Sequence, residues 1–157
     1  MEQIKAIALD VDGVLTDGAF WWGPNGEEWK RFSFRDIMGV SRARRAGLII
    51  ALISGEDSPL VDRFAQKLGI EDVFKGCKNK AMAFEEFAQR RGLKMSEIAF
   101  MGDDVNDVEA MKLAGMGAAP MNAHPAALQQ ASFVSKYNGG NGAVRELLDL
   151  LLQAPPV

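Results

Sequence analysis

The sequence predicts a three-layer α/β fold, in which helices cover both faces of an open, parallel β-sheet. Short apolar segments of strand length alternate with helical segments along the chain, and this alternation is typical of a parallel sheet. No linker, internal repeat or low-complexity segment interrupts the pattern, so we expect one domain over residues 1–157. In such folds ligands bind at the carboxyl ends of the strands, so the residues that follow each strand are the first candidates for a site.

The predicted strands are short and apolar. Residues 4–9 and 48–53 are aliphatic enough to be buried on both faces of the sheet. Further strands are predicted at residues 70–74, 98–101, 117–119 and, at an edge of the sheet, 133–134.

Residues that cap helices indicate where the helices begin. Asp36 is expected to cap a helix over residues 36–45, and Ser58 one that has a proline at its first position. Asn79 precedes a helix over residues 80–91. Shorter helices are predicted from residues 108 and 124, and a last helix over residues 143–152 precedes a frayed tail at residues 154–157. The helical side chains that we expect in the core are Met82, Phe84, Phe87, Val108, Met111 and Leu113.

Residues 18–33 are predicted to form a β-hairpin insertion. Two aromatic runs flank a Pro-Asn-Gly turn at residues 24–26, a pattern that is typical of hairpins. The tryptophans Trp21, Trp22 and Trp29 carry more apolar surface than one small core accepts. We therefore expect some of them to pack on another subunit or on a ligand.

The composition argues against several classes of function. The net charge of -3 argues against a general nucleic-acid binder, because binding to a phosphate backbone needs a basic surface. The single cysteine, Cys77, excludes an internal disulfide and a multi-cysteine metal site. No apolar run reaches the length of a membrane span, and a signal-peptide pattern is absent. We therefore expect a cytoplasmic protein that binds neither nucleic acid nor membrane.

Acidic residues follow two of the predicted strands, and a serine follows a third. Asp10 and Asp12 come after the first strand, Ser54 after the second and Asp103 after the strand over residues 98–101. The carboxylates of Asp10 and Asp12 are only two residues apart, so they disfavour each other's ionisation unless a cation or a proton lies between them. Because the ligands at this edge are oxygens, they suit Mg²⁺, whereas a zinc site would need more than the one histidine and one cysteine present. We predict a magnesium ion bound by Asp10, Asp12 and Asp103.

The segment over residues 10–18, D-V-D-G-V-L-T-D-G, resembles motif I of the haloacid-dehalogenase-like phosphatases. The resemblance implies a Rossmann-like sheet of that superfamily and a phosphatase that forms an aspartyl-phosphate. In that chemistry Asp10 is the nucleophile, and Asp12 protonates the leaving alkoxide and then activates water.

Three further segments are similar to the other motifs of that superfamily. Ser54 and Lys80 match motifs II and III, which implies that they bind the transferring phosphoryl group. The segment G-D-D-V-N-D at residues 102–107 resembles motif IV, which implies that Asp103 binds the metal. The resemblance also implies that three nearby side chains orient Lys80 and the metal-bound water, namely Asp104, Asn106 and Asp107.

Over nearly its whole length the chain resembles the 3-deoxy-manno-octulosonate 8-phosphate phosphatase family, which includes phosphatases of nine-carbon sugar acids. Residues 29–36, 123–125 and 139–146 carry this wider likeness, together with Arg63. The family implies a homotetramer without cap domains, in which a neighbouring subunit closes each active site and the aromatic hairpin lines the subunit contact. The substrate-binding residues that it implies are Thr16, Ser33, Arg35, Asp36, Glu56, Arg63 and Lys67.

Two positions favour the nine-carbon branch. Glu56 stands where octulosonate enzymes usually have arginine, and Lys67 lies one helical turn after Arg63. This pair resembles enzymes that act on 2-keto-3-deoxy-nonulosonate 9-phosphate or acylneuraminate 9-phosphate, with Arg63 as the partner of the substrate carboxylate. The alternative is 3-deoxy-manno-octulosonate 8-phosphate, of lipopolysaccharide biosynthesis, because a surface ion pair explains Glu56 and Lys67 about as well.

Other classes of protein fit less of the sequence. A receiver-type signalling domain also forms an aspartyl-phosphate, but an acid–base partner two residues from Asp10 favours turnover. A non-catalytic oligomerisation module of a sugar-nucleotide synthetase has no need of buried like charges. A phosphomutase needs a cap domain, and the connections after Gly18 and Ser54 have no room for one.

Overall fold

Residues 2–153 are described by the structure, a computed structural model, and they fold into strands and helices that alternate as predicted. The tail predicted at residues 154–157 lies outside the described residues. The strands are β1 (Ala6–Leu9), β2 (Trp21–Trp22), β3 (Glu28–Trp29), β4 (Ile49–Ile53), β5 (Asp72–Phe74), β6 (Ile98–Met101), β7 (Met116–Ala119) and β8 (Phe133–Val134). The helices are α1 (Phe34–Arg45), α2 (Pro59–Leu68), α3 (Lys80–Arg91), α4 (Val108–Leu113), α5 (Pro125–Gln130) and α6 (Ala143–Gln153).

Six parallel strands form the central sheet in the order β5-β4-β1-β6-β7-β8. Strand β1 lies in the middle, and its last residue, Leu9, pairs with Leu52 of β4 and with Met101 of β6. Because these three strands end at nearly the same level, the residues that follow them leave the sheet side by side. This register brings polar residues far apart in the sequence to one edge.

Apolar side chains pack on both faces of the sheet. Along β1, Ile7 and Leu9 enter one core cluster with side chains of α1, α2 and α6, whereas Ala6 and Ala8 enter a second cluster with α3, α4 and α5. The alternation follows from the two-residue period of a strand. The predicted three-layer α/β fold is therefore confirmed. Within residues 2–153, no helix combines the length and the apolar character needed to cross a bilayer.

The start of α1 differs from the prediction. Ser33, rather than Asp36, caps the helix, because its hydroxyl accepts a hydrogen bond from the backbone N–H of Arg35. Asp36 is fully buried in the first turn, where its carboxylate accepts from the backbone N–H of Arg145, in α6, at 3.0 Å. A carboxylate in the first helical turn is also favoured by the helix dipole, so sequence alone did not separate the two positions.

Two predicted core residues are exposed. The buried face of α3 contains Lys80, Ala83, Phe84, Phe87 and Ala88, and Met82 lies off that face with 66% of its surface accessible. Leu113 is the last residue of α4 and is 41% exposed, whereas Met111 is buried as predicted.

The hairpin forms a small sheet of its own. Strands β2 and β3 are antiparallel, with Trp21 opposite Trp29, and the predicted turn separates them. Trp21, Trp22 and Trp29 are all exposed. The prediction that they do not all face the core is confirmed.

Candidate active site

The polar residues that follow β1, β4 and β6 meet at one cavity of about 520 Å³. Its lining residues are Asp10, Asp12, Gly18, Gly55, Glu56, Cys77, Lys78, Lys80, Asp103, Asp104 and Asn106. The predicted convergence at the carboxyl edge of the sheet is therefore confirmed.

The loop after β1 is shaped by its own hydrogen bonds. The hydroxyl of Thr16 is buried and accepts from the backbone N–H groups of Gly13 and Gly18, both at 3.2 Å. Thr16 therefore holds the loop closed, and its expected substrate contact stays a prediction. Gly13 has φ +85°, and a Cβ at this position would collide with the carboxylate of Asp103. Only glycine allows the loop and Asp103 to approach this closely.

A glycine pair late in the chain supports the same loop. The N–H of Gly140 donates to the carbonyl of Val14 at 3.0 Å. At Gly139 a Cβ would collide with the carbonyl of Gly13. The backbone of residues 139–140 therefore packs directly against the loop that carries Asp12.

Three carboxylates and one ammonium form the centre of the site. Oxygens of Asp10, Asp103 and Asp107 lie within 4.8 Å of one another. The Nζ atom of Lys80 lies 3.0 Å from Oδ1 of Asp10 and 2.8 Å from Oδ1 of Asp107. The other oxygen of Asp107 accepts from the backbone N–H groups of Asp103, at 2.9 Å, and Asp104, at 3.2 Å. Asp107 thus holds both Lys80 and the loop after β6.

Burial changes the protonation of these groups. Burial raises the pKa of Asp10 well above its usual range, and the charge of Asp107 raises it further, although Lys80 acts in the opposite direction. Burial also raises the pKa of Asp103, to about 6. For Lys80 burial lowers the pKa, but the charges of Asp10 and Asp107 more than offset this and bring it to about 12. Lys80 is therefore an ammonium at neutral pH.

The carboxylate cluster fits a hard divalent cation. Its donors are oxygens, and since burial raises the pKa of both Asp10 and Asp103, a bound cation would favour their charged forms. Asp12, predicted as a third ligand, has its carboxylate elsewhere: Oδ1 lies 2.8 Å from Nζ of Lys30. Asp107 takes its place in the cluster, although both of its oxygens already accept hydrogen bonds. Asp10 and Asp103 are therefore the side chains best placed to hold the ion.

Ser54 and two residues of the motif IV segment complete the edge of the site. Ser54 is buried directly after β4, and its hydroxyl oxygen accepts from the N–H of Glu56 at 3.1 Å, which leaves the hydroxyl hydrogen to donate. Glu56, Asp104 and Asn106 line the cavity.

The remaining predicted substrate residues lie away from this cavity. Lys67 is near the carboxyl end of α2, where it lines a separate groove with Ser41 and Arg44. Within one chain Glu56 and Lys67 therefore do not line the same cavity, because α2 leads away from the site. Arg63, also on α2, is exposed outside the cavity lining.

Three predicted substrate residues lie at the start of α1. Ser33 caps the helix and Asp36 binds α6, as described above. Arg35 lines a groove between α1 and α6, together with Tyr137 and Arg145.

Two lysines of the site, Lys30 and Lys78, were not predicted from the sequence. Lys78 lines the cavity from the segment before α3. Lys30 follows β3, and its side chain is only 3% exposed because it reaches Asp12. Its position in the second arm of the hairpin, where inward-pointing and outward-pointing residues alternate, could have indicated that Lys30 points inward.

Comparison with known proteins identifies the class to which this fold and site belong. Residues 69–147 match the family model described as haloacid dehalogenase-like hydrolase. Together with the parallel sheet and the carboxylate cluster at its carboxyl edge, the match makes the chain a phosphoric monoester hydrolase of that superfamily.

The relatives narrow the class to one family. The chain is 39% identical over 153 residues to 3-deoxy-D-manno-octulosonate 8-phosphate phosphatase KdsC of Escherichia coli K12, which covers 98% of this chain and 81% of that protein. A 3-deoxy-D-manno-octulosonate 8-phosphate phosphatase from Moraxella catarrhalis has a crystal structure in complex with a magnesium ion, a phosphate ion and KDO. This structure is 36% identical in sequence and has a TM-score of 0.94, and the match covers 96% of this chain and 87% of the Moraxella catarrhalis chain. A cobalt-bound structure from Haemophilus influenzae is also 36% identical, with a TM-score of 0.93, and covers 97% and 89% of the two chains. The chain belongs to the 3-deoxy-D-manno-octulosonate 8-phosphate phosphatase family.

These relatives bear on two of the predictions, the cofactor and the substrate. They agree with the predicted magnesium cofactor, because the carboxylate cluster has the donors that Mg²⁺ requires and the Moraxella catarrhalis structure contains that ion. The three relatives named are all eight-carbon sugar-acid phosphatases. They therefore favour the eight-carbon alternative over the nine-carbon substrate that Glu56 and Lys67 suggested.

Proposed function

We propose that this protein hydrolyses 3-deoxy-manno-octulosonate 8-phosphate to the free sugar acid and inorganic phosphate. The observation that carries the proposal is the buried contact of Asp10 with Lys80, beside Asp103, at the floor of the cavity. A carboxylate in this position can attack phosphorus only if positive charge offsets its repulsion from a phosphate dianion. Lys80 supplies part of that charge from within the chain.

In the first step, a carboxylate oxygen of Asp10 bonds to phosphorus while the bond from phosphorus to the sugar oxygen breaks. Asp12 donates its proton to the departing alkoxide. Lys80 and the hydroxyl of Ser54 donate hydrogen bonds to the phosphoryl oxygens. A bound magnesium ion, held by Asp10 and Asp103, would add positive charge that offsets the repulsion between phosphate and Asp10.

In the second step, water hydrolyses the aspartyl-phosphate. Asp12, now a carboxylate, takes a proton from the water whose oxygen attacks phosphorus. The bond between phosphorus and Asp10 breaks, inorganic phosphate leaves, and the starting protonation of Asp12 is restored. The side chain of Asp12 is 31% exposed on the cavity wall, so water can reach it.

A nine-carbon sugar acid 9-phosphate is the second candidate substrate. Glu56 supports it, because an acidic side chain on the cavity wall can accept hydrogen bonds from additional sugar hydroxyls. Lys67 lies at the far end of α2, away from this cavity, so within one chain Glu56 alone supports this substrate.

Steady-state kinetics on both phosphates, with the magnesium-loaded enzyme, tests the choice. We expect kcat/KM for octulosonate 8-phosphate to exceed that for nonulosonate 9-phosphate by at least about tenfold, a difference of about 1.4 kcal/mol in transition-state binding. Glu56→Gln, which keeps the size and removes the charge, should leave the eight-carbon value nearly unchanged. A higher kcat/KM for the nine-carbon substrate, lost in Glu56→Gln, would reverse the assignment.

We also propose that the protein acts as a homotetramer in which the hairpin lines the subunit contact. The exposed tryptophans of β2 and β3 support this, because so large an apolar patch is unusual on a monomer. Light scattering should give a tetramer for the wild type and smaller species for Trp22→Lys. Met82→Lys, at an exposed apolar residue outside the hairpin, is the matched control and should remain tetrameric.

A further inference from the structure

Lys30, whose side chain is buried, makes an ion pair with the partly exposed Asp12, and the mechanism above does not use this contact. Its side chain is 3% exposed, and its Nζ atom lies 2.8 Å from Oδ1 of Asp12 and 3.8 Å from a carboxylate oxygen of Glu28. Lysine is almost never buried to this extent unless its ammonium is paired. Asp12 is therefore the partner that keeps Lys30 in this position.

The segment that carries Lys30 is held on both sides. On its inner side Phe32 packs against the core and stacks on Phe64, with ring centroids 4.9 Å apart. On its outer side Arg31 donates to the side chain of Asn141 at 3.0 Å. Because side chains alternate along an extended segment, Lys30 and Phe32 point inward while Trp29 and Arg31 point outward. Lys30 thus reaches Asp12 from a fixed backbone.

This contact restricts the carboxylate of Asp12. Lys30 engages Oδ1, which limits rotation of the carboxylate about its Cβ–Cγ bond and leaves Oδ2 to transfer the proton. Without Lys30 the carboxylate could turn toward Lys80, which lines the same cavity and lies between Asp10 and Asp107. Proton transfer requires an oxygen held within hydrogen-bond reach of the reacting atom.

We propose that Lys30 is a positioning residue that fixes Asp12 for proton transfer, and that it couples the hairpin to the chemical step. The inference rests on the proposed function, in which Asp12 gives a proton to the alkoxide and later takes one from water. A purely structural Lys30 would instead only hold the hairpin against the loop after β1. The two roles differ in how strongly activity depends on the leaving group.

Lys30→Met tests this, because methionine retains most of the buried chain and removes the ammonium. Turnover of the sugar phosphate, whose alkoxide needs a proton to leave, should fall by about 10–100-fold with little change in KM, as part of the 10²–10⁴-fold contribution typical of general acid–base catalysis. With p-nitrophenyl phosphate, whose phenolate leaves unprotonated, the first step should change by less than about threefold. The phosphoenzyme should then accumulate, visible as a burst of p-nitrophenolate, because Asp12 also serves the second step. Lys30→Arg should restore part of the lost turnover.

Two controls keep the result interpretable. Lys112→Met removes an exposed lysine paired with Glu109 and should not change the turnover of either phosphate. If Lys30→Met does not fold, Lys30→Gln, which keeps a neutral donor, replaces it in the same assays.

Equal losses on both phosphates without a burst, or a change in KM alone, would overturn the inference and leave Lys30 as a hairpin anchor. Asp12→Asn separates this from failure of the mechanism itself. If Asp12→Asn shows the selective loss and Lys30→Met does not, only the inference falls. If Asp12→Asn also loses activity equally on both phosphates and gives no burst of p-nitrophenolate, the acid–base role of Asp12 falls, and the inference falls with it.

Discussion

Replacing Lys80 by methionine tests whether the carboxylate cluster depends on this one ammonium. Methionine fills most of the same volume, so the packing of α3 is retained while both ion pairs are lost. Lys80 is almost completely buried and lies within 3.0 Å of two carboxylates. Its removal leaves Asp10, Asp103 and Asp107 close together with no cation from the protein between them.

The expected loss is large because the remaining charges are buried. Removing one partner of a buried ion pair typically lowers the free energy of unfolding by about 3–5 kcal/mol. For a chain of this length, about 1 kcal/mol corresponds to 2–4 °C in Tm, so a decrease of about 6–20 °C is expected near neutral pH.

The loss should also depend on pH. The pKa of Lys80 is raised from 10.5 to about 12, so the stabilisation is fully present below pH 10.5 and disappears as the pH rises from 10.5 to 12. The loss in Lys80→Met should also shrink in acid, because the pKa of Asp10 is already raised and a proton can then replace the ammonium.

Thermal unfolding followed by circular dichroism, in chelator and again in Mg²⁺, measures the effect. Added Mg²⁺ should recover part of the lost Tm, since it supplies the missing positive charge. The control is Lys112→Met, whose partly exposed ion pair with Glu109 should contribute less than about 1 kcal/mol. If Lys80→Met lowers Tm at pH 7.5 by no more than this control, the cluster does not depend on Lys80 and our reasoning is wrong.

Three further predictions concern the same site. Asp10→Asn should lower kcat by about 10⁴-fold or more while the protein still folds, since it removes the nucleophile and keeps its shape; activity above about a hundredth of wild type would refute the covalent mechanism. Gly13→Ala should lower the free energy of unfolding by about 1–3 kcal/mol, because φ is +85° there, and should weaken Mg²⁺ binding in calorimetry by displacing Asp103; unchanged affinity would contradict this. Because burial raises the pKa of Asp103 to about 6, Mg²⁺ must displace a proton in acid, so its apparent affinity should fall by up to about tenfold per pH unit below pH 6. An increase in Tm on adding Mg²⁺ that is equal at pH 5 and pH 7 would refute that assignment.

The fold and the location of the site could be predicted because local patterns determine them. Asp10, Ser54 and Asp103 each follow an apolar strand, and parallel strands present their carboxyl ends at one edge whatever the details of packing. Helix ends were predicted well where a capping side chain coincided with a backbone signal, as at Ser58 and Asn79.

Sequence patterns predict less where side chains from distant segments share partners. Asp12 was predicted to bind the metal, which stays a prediction, and its contact with Lys30 was not predicted, because no spacing rule relates these two residues. Lys67 and Glu56 were both expected to bind substrate, but within one chain Lys67 lies at the far end of α2 from the cavity. A helical repeat shows which side chains share a face, but it does not show which end of the helix reaches the site.

The contact between the loop after β1 and residues 139–140 affects when the enzyme can form during synthesis. Gly140, whose N–H donates to Val14, leaves the ribosome about 125 residues after Gly13, which is about 6–25 s later at usual rates of translation. Asp103 is also made long after Asp10. Until those segments emerge, the nascent chain exposes the acidic loop after β1 without Asp103 beside it and without its backbone support. A chain truncated before Gly139 should accordingly bind Mg²⁺ poorly even if its sheet has formed. The metal site is therefore completed only after residues 139–140 have been synthesised.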